Sequence, residues 1–170
     1  MKVVVAVLGF AMLTTLESCY SFSGISTDAQ TVQIEPFFNN TDLGPANLGP
    51  NFTNRVKDYF QTNTSMSVVS ENGELFIEGV ITDYRLSPVA PVSSGNNTLP
   101  DAAAATRLTI TFKINYIDNK VPANSFKDKT FSWYDDFTAN QDFTAEQERL
   151  ERNIFNRVLQ DIFTATVANW

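Results

Sequence analysis

Two periodicities of apolar residues divide the chain into predicted strands and helices. The clearest strand runs from Arg107 to Tyr116, where apolar and polar residues alternate without a break. Its apolar positions are Leu108, Ile110, Phe112, Ile114 and Tyr116, and its polar positions are Arg107, Thr109, Thr111, Lys113 and Asn115. This pattern is typical of an antiparallel strand that buries one face and exposes the other.

Shorter patterns predict further strands. They are expected at Thr31–Phe37, ending near Pro36, at Ser67–Val69, from Leu75 toward Leu86, and at Ser125–Phe137. Asn72-Gly73 has the signature of a two-residue hairpin turn between the second and third of these. Pro88 and Pro91 are expected to end the strand that begins at Leu75. The segment Pro88–Ala105 is then a long loop, and such loops are usually functional or mobile.

A helical repeat of apolar residues occurs twice. The first set, Leu48, Phe52, Val56, Tyr59 and Phe60, predicts an amphipathic helix that runs to about Thr62. The second predicts a helix from Thr144, its expected N-cap, nearly to the end of the chain. This helix has two apolar rows: Leu150, Ile154, Val158 and Ile162, then Phe155, Leu159 and Phe163. So wide a stripe is expected to cover a sheet.

The order of the predicted elements is β-α-β-β-β-α. It predicts an α+β two-layer sandwich in which both helices pack on one face of a four- to five-stranded, mostly antiparallel or mixed sheet, with the other face partly open. Residues 31–170 are expected to form this single domain. The chain has one cysteine, so packing rather than an internal disulfide must stabilise it, and its 14 phenylalanines supply apolar area.

The first nineteen residues have the pattern of an export signal. Lys2 precedes an apolar run from Val3 to Leu13, and Leu16-Glu17-Ser18-Cys19 ends that run at the only cysteine. This resembles a bacterial lipoprotein signal, in which residues 1–18 are removed, Cys19 becomes the acylated N-terminus, and residues 19–30 form a tether. The run is too short for a transmembrane helix. An ordinary secretory signal that leaves a free thiol is the alternative.

The charge of the chain limits its partners. It carries 12 basic and 19 acidic residues, a net charge of −7 at pH 7. Removing residues 1–18 leaves this value unchanged, because one basic and one acidic residue are lost. An acidic chain is a poor candidate for binding nucleic acid or anionic lipid in general. Membrane attachment is therefore expected through the lipid on Cys19.

The chain lacks the residues on which most catalytic mechanisms depend. The chain has no histidine, and its one cysteine is expected to be acylated, so we predict no His-dependent triad, thiolate nucleophile, metal site or cofactor. Two carboxylate pairs, Asp135 with Asp136 and Glu146 with Glu148, could act as acid and base. However, adjacent residues on a strand point to opposite faces. We therefore predict a protein that is not an enzyme; a carboxylate-dependent hydrolase is the weaker alternative.

Several cations are predicted to share the polar face of the best strand. Between Ala102 and Ile117 there is no acidic residue, yet Arg107 and Lys113 both fall there. Arg85 lies on the preceding strand, and Lys127 and Lys129 on the following one. If these strands are neighbours, the cations could bind phosphate or carboxylate groups of a ligand. The alternative is that they are ordinary solvated residues of an exposed strand face.

Five segments together resemble the lipopolysaccharide-assembly lipoproteins of the LptE type. They are the signal ending at Cys19, the tether Tyr20–Gly24, the strand Arg107–Lys113, the segment Phe131–Phe137 and the closing Asp161–Trp170. The resemblance covers essentially the whole chain. It rests on the order and combination of these segments, none of which is diagnostic by itself.

The resemblance implies a function. Proteins of this type are outer-membrane lipoproteins that face the periplasm, plug the large β-barrel LptD and assist its assembly. Together the two proteins insert lipopolysaccharide into the outer leaflet, and the lipoprotein itself is thought to bind lipopolysaccharide. The alternative function is a free lipoprotein, facing the periplasm, that binds a hydrophobic or glycan ligand without a barrel partner.

Overall fold

The computed structural model describes residues 27–90 and 104–168. The predicted acylation site Cys19, most of the predicted tether and the central part of the predicted loop lie outside these ranges. Every strand and helix named below lies within these two ranges of residues.

These residues form six strands and two α-helices in one α+β arrangement. In chain order they are β1 (Thr31–Ile34), β2 (Phe38–Asn39), α1 (Leu48–Asn63), β3 (Ser67–Val69), β4 (Leu75–Val89), β5 (Ala105–Asp118), β6 (Phe126–Thr138) and α2 (Phe143–Thr166). The strands form one sheet in the order β3-β1-β4-β5-β6, and β2 also pairs with β4. The predicted two-layer α+β class is confirmed, with six strands where four or five were expected.

The three long strands β4, β5 and β6 form an antiparallel centre. The predicted alternation in β5 is confirmed, because its five apolar side chains from Leu108 to Tyr116 are all 0% exposed. They face the helices on what we call the inner face. Arg107 and Lys113 occupy the positions between them, so they lie on the opposite, outer face.

Aromatic rings connect both helices to the inner face. The ring of Phe52 on α1 lies 4.2 Å from that of Phe112 on β5 and 4.9 Å from that of Phe155 on α2. A side chain that contacts both helices and the sheet fixes their mutual positions. At the start of α2, Asp142 rather than the predicted Thr144 is the N-cap, and its side chain accepts a hydrogen bond from the Thr144 N–H.

The predicted hairpin at Asn72-Gly73 is wrong. β3 and β4 do not pair; β1 lies between them and is parallel to both. Residues 70–74 therefore connect two strands that flank a third. Gly73 packs against β1 so closely that a Cβ atom there would lie 2.5 Å from the backbone nitrogen of Gln33. Glycine permits this approach because it has no side chain.

The predicted end of β4 before Pro88 is also wrong. β4 continues to Val89, and Pro88 pairs with Thr106 of β5. On its other side, β4 pairs with β2 only as far as Ile81. Beyond that point no described strand pairs with this edge of β4, so a residue without an N–H costs little there.

A buried carboxylate holds the turn after β5. Asp118 is 0% exposed, and its Oδ1 accepts the backbone N–H groups of Lys120 and Val121 at 2.9 and 2.8 Å. Its Oδ2 accepts the side-chain amide of Asn124 at 3.3 Å. These bonds organise the connection to β6.

Candidate ligand-binding face of the sheet

The outer face of β4, β5 and β6 carries a mixture of hydroxyl-bearing, charged and apolar side chains. In the antiparallel register Thr111 on β5 lies opposite Ser132 on β6, with Thr109 opposite Tyr134 and Lys113 opposite Thr130 on either side. The hydroxyls of Thr111 and Ser132 are hydrogen-bonded at 2.8 Å. Both helices bury their apolar residues against the inner face, so the outer face is a polar surface, as the alternation predicts.

Arg107 lies on this face but is already paired with a carboxylate. Its Nε and Nη2 donate to the two carboxylate oxygens of Asp136 on β6 at 2.8 and 2.9 Å. Its guanidinium also lies 3.6 Å from the ring centroid of Tyr134. Hydrogen bonds from Arg107 lower the pKa of Asp136, and the same bonds raise the pKa of Arg107. Bidentate pairing reduces the positive charge that Arg107 presents to a ligand.

Arg85 is positioned on the same face of β4, opposite Thr109. Its Nη2 lies 3.7 Å from the carboxylate of Asp83, and 62% of its side chain is exposed. This contact is loose and solvated, so it constrains the guanidinium little.

Lys113 differs from both arginines. It is exposed, and within the described residues it has no ion-pair partner. It borders a groove of about 440 Å³ lined by the apolar Phe38, Phe76 and Val80 and by the carboxylates of Glu35, Glu78 and Asp128. Phe38 is 64% exposed. The groove therefore combines apolar surface with one ammonium group and three carboxylates.

The lysines of β6 do not join this cluster. Lys129 pairs with Ile114, an inner-face residue, and its ammonium group lies 4.9 and 5.5 Å from the ring centroids of Phe126 and Phe131. The register of β6 shifts near this point, and Asp128 has a φ of 53°. Lys127 falls within the same irregular stretch. The structure thus places Arg107, Lys113 and Arg85 on one face, without Lys129.

Sequence reasoning did not pair three carboxylates with these cations. The antiparallel register brings Asp136 opposite Arg107 and places Glu78 diagonally across from Lys113. Asp83 contacts Arg85 two residues further along the same strand. Glu78 accepts a hydrogen bond from Asn115 at 2.9 Å. The alternation of β4 and β6 could have revealed their face, but only once the register was known.

The carboxylates considered for catalysis are separated or paired. Asp136 binds Arg107 on the outer face, whereas Asp135 accepts from Arg149 and Asn153 of α2 on the inner side. Glu146 accepts from Arg149 at 2.7 Å. No group of acidic residues within the described ranges could hold a metal ion. Neither described helix has the length and apolar content of a membrane span.

Comparisons with known proteins give similar folds at low sequence identity. The hypothetical protein CT253 from Chlamydia trachomatis is 8% identical, with a TM-score of 0.53 over 81% of this chain and 97% of that one. Uncharacterized lipoprotein B from Nitrosomonas europaea is 13% identical, with a TM-score of 0.49 over 79% of each chain. Rare lipoprotein B from Shewanella oneidensis is 11% identical, with a TM-score of 0.41 over 78% of this chain and 89% of that one. No curated protein sequence matches the chain.

A family model agrees with the resemblance noted in the sequence. The model described as LptE, lipopolysaccharide-assembly, matches residues 29–166, which include every strand and helix described above. The CT253 likeness concerns the fold alone, whereas the family match extends over most of the chain. The chain therefore belongs to the LptE family of lipopolysaccharide-assembly proteins.

Proposed function

We propose that this protein is a lipid-anchored, non-enzymatic subunit of an outer-membrane lipopolysaccharide translocon. In this role it plugs an LptD-type β-barrel, assists assembly of that barrel, and takes part in inserting lipopolysaccharide into the outer leaflet. Acylation of Cys19 anchors it to the outer membrane on the periplasmic side. The observation that carries the proposal is the family match over residues 29–166.

The outer face supports a position inside a barrel. The lumen of a large outer-membrane barrel is polar, so a plug needs a hydrophilic surface. The rows of threonine and serine on β5 and β6 provide one. The apolar surface that remains at the groove beside Lys113 is limited to a few side chains such as Phe38.

Lipopolysaccharide combines anionic groups with acyl chains. In the groove beside Lys113, Phe76 and Val80 can supply apolar contacts to an acyl chain. The ammonium group of Lys113 can pair with a phosphate, but Glu35, Glu78 and Asp128 in the same lining oppose an anion inside the groove. Arg107 and Arg85 extend the cationic row along the same face. Because Arg107 is held by Asp136, we expect Lys113 to contribute more than Arg107 to anion binding.

Co-purification from outer membranes tests the barrel partnership. The full-length protein, tagged at its C-terminus, is extracted in mild detergent from its own cells and the associated proteins are identified. We expect a large β-barrel in stoichiometric amount. Recovery of the acylated, folded protein alone would refute the plug and favour a free ligand-binding lipoprotein.

Anchoring is tested with Cys19→Ser. This variant lacks the thiol that carries the lipid, so mass spectrometry should find acyl mass on the N-terminal peptide of the wild type, which begins at Cys19, and none on the variant. A wild-type Cys19 without acyl mass would contradict the assignment of Cys19 as the lipidation site.

A charge reversal at Lys113 tests the ligand site. Lys113→Glu should weaken binding of purified lipopolysaccharide about tenfold, the effect of about 1.4 kcal/mol. The matched control is Lys57→Glu, which makes the same change on α1, away from the outer face. Equal effects of the two substitutions would show that net charge, rather than this face, governs binding.

A further inference from the structure

A second polar cleft lies in the helix layer, away from the outer face. It has a volume of about 500 Å³ and is lined by the N-terminal halves of α1 and α2. Asn47, Asn51 and Asn54 line one side, and Gln147 and Glu151 line the other. The cationic row on the opposite face of the sheet takes no part in it.

The three asparagines have no structural role that accounts for them. Asn47 occupies the N-cap of α1, yet its side chain makes no capping hydrogen bond. Asn51 and Asn54 are exposed in the first two turns, and no described residue hydrogen-bonds to either side chain. Asparagine is a poor residue for a helix, by about 0.6 kcal/mol relative to alanine. Residues that break a local rule without a compensating contact are expected at functional sites.

Glu151 provides an independent observation in the same cleft. Glu151 is only 8% exposed. Its Oε1 accepts hydrogen bonds from the Tyr84 hydroxyl and from the Gln147 side-chain amide, each at 2.9 Å. No described group donates to its Oε2, and no described cation pairs with it; the neighbouring Arg152 instead contacts Glu148 at 3.4 Å. Among the described residues only the Tyr116 hydroxyl is both buried and without a hydrogen bond, so Oε2 of Glu151 is accessible to solvent. Because Glu151 lines the cleft, a ligand there can donate a hydrogen bond to this oxygen.

The charges of the cleft select a neutral ligand. Arg55 and Arg152 are balanced by Glu148 and Glu151, so the lining has no net charge. Each asparagine amide offers donors and an acceptor, which matches hydroxyl groups that donate and accept at the same time. A phosphate would be opposed by the two glutamates, and an amine by the two arginines.

From these features we infer that the cleft between α1 and α2 binds an uncharged saccharide. One sugar hydroxyl donates to Oε2 of Glu151, and others exchange hydrogen bonds with the side chains of Asn51 and Asn54. Hydroxyl recognition of this kind is selective, because a ligand without the hydroxyls leaves the polar groups of the site unpaired. The inference does not depend on the barrel partnership proposed above.

Saturation-transfer NMR on the full-length protein in detergent tests the inference. The probes are uncharged di- and trisaccharides of glucose, galactose and mannose, with spermidine and methyl phosphate as charged comparisons that carry observable C–H protons. We expect saturation transfer to at least one saccharide at a concentration of about 10 mM, typical of weak single-site binding. No transfer to any saccharide, or transfer to spermidine or methyl phosphate alone, would overturn the inference.

The double variant Asn51→Ala/Asn54→Ala locates the site. It should weaken saccharide binding at least about tenfold, because two hydrogen bonds are lost. It should also unfold at the same or a higher temperature, since alanine is the better helix former. The matched control is Gln61→Ala, which removes an exposed amide from the same helix outside the cleft and should change binding less than about twofold.

Two results of this comparison would contradict the cleft as the site. Unchanged binding in a folded double variant would place the saccharide elsewhere, and an equal loss in Gln61→Ala would show a nonspecific effect. Co-purification of a barrel is measured separately. If no saccharide binds, the proposed function is unaffected. If no barrel co-purifies, the saccharide inference is unaffected.

Discussion

The two faces of the sheet are built from alternate residues of the same strands, yet they serve different ends. On the inner face, Phe112 of β5 is fully buried and packs against rings from both helices. On the outer face, its neighbour Lys113 is exposed and borders an open groove. Each inner-face side chain packs against several others, so a change of its size or polarity lowers the stability of the fold. The outer face has few internal constraints and is free to bind a ligand or a partner. Matched substitutions on the two faces test this contrast.

The largest effect is expected from the aromatic contact between the layers. Phe52→Ala removes a fully buried ring that contacts Phe37, Phe112 and Phe155. It should lower the free energy of unfolding by about 4 kcal/mol, through lost burial and the cavity that remains. Chemical denaturation measures this value. Thr109→Ala on the outer face should change it by less than about 0.5 kcal/mol. Similar losses in both would contradict the division of roles.

A buried polar group should matter more than an exposed one of the same type. Asp118→Ala deletes the acceptor of three hydrogen bonds in the turn after β5 and should cost about 2 kcal/mol, because buried donors lose their partner. The control is Asp42→Ala, at an exposed position, with an expected change near zero. Thermal unfolding of both variants distinguishes them. If Asp42→Ala lowered the unfolding temperature as much as Asp118→Ala does, burial of the carboxylate would not explain the loss of stability.

Two tyrosines allow the same comparison with the removal of one hydroxyl. Tyr84 is 4% exposed and donates to Glu151 at 2.9 Å, whereas Tyr134 is 49% exposed on the outer face. Burial, followed by the charge of Glu151, raises the pKa of Tyr84. Tyr84→Phe should cost about 1 kcal/mol, the net value of a typical hydrogen bond. Tyr134→Phe should leave stability unchanged. The expectation fails if denaturation midpoints shift equally in the two variants.

The smallest effect is expected from the outer-face pair Arg107 and Asp136. Both side chains are about one-third exposed, so a double-mutant cycle with alanine should give a small coupling that decreases in high salt. The pKa of Asp136 is lowered in the folded state by hydrogen bonds from Arg107. Its contribution is therefore present above the unfolded pKa of about 4 and is lost as the pH falls through the lower folded value. Stability curves of the wild type and Asp136→Asn should converge in acid. A coupling as large as the effect of Tyr84→Phe, unchanged by salt, would mean that this pair acts like a buried one.

Local sequence patterns predicted most of the fold. β5, α1 and α2 follow from apolar periods, since the face on which a residue lies depends only on its position within its own strand or helix. For the same reason, Arg107 and Lys113 were placed correctly on the polar face. Asp135 and Asp136 point to opposite sides of the sheet, as adjacent strand residues should. The prediction that Arg107 and Lys113 bind a ligand stays a prediction.

Other features depend on residues far apart in the chain. The Asn72-Gly73 sequence favours a hairpin, but β1 lies between its two strands and pairs with both of them. These pairings join residues far apart in the chain, which a local turn signature does not report. Pro88 stays within β4 because no described strand pairs with the edge that it adjoins, a fact of strand order. The saccharide cleft joins asparagines of α1 to Glu151 of α2, and no local motif predicts that meeting.

The sequence by itself determined the two layers, the residues of the core and the polar character of the outer face. Only the tertiary structure decided the order of the strands and which cations stay unpaired. The reason is the range of the forces involved. Apolar periodicity acts within one element, whereas strand register brings Asp136 to Arg107 and leaves Lys113 exposed, and that register is set by packing across the whole domain.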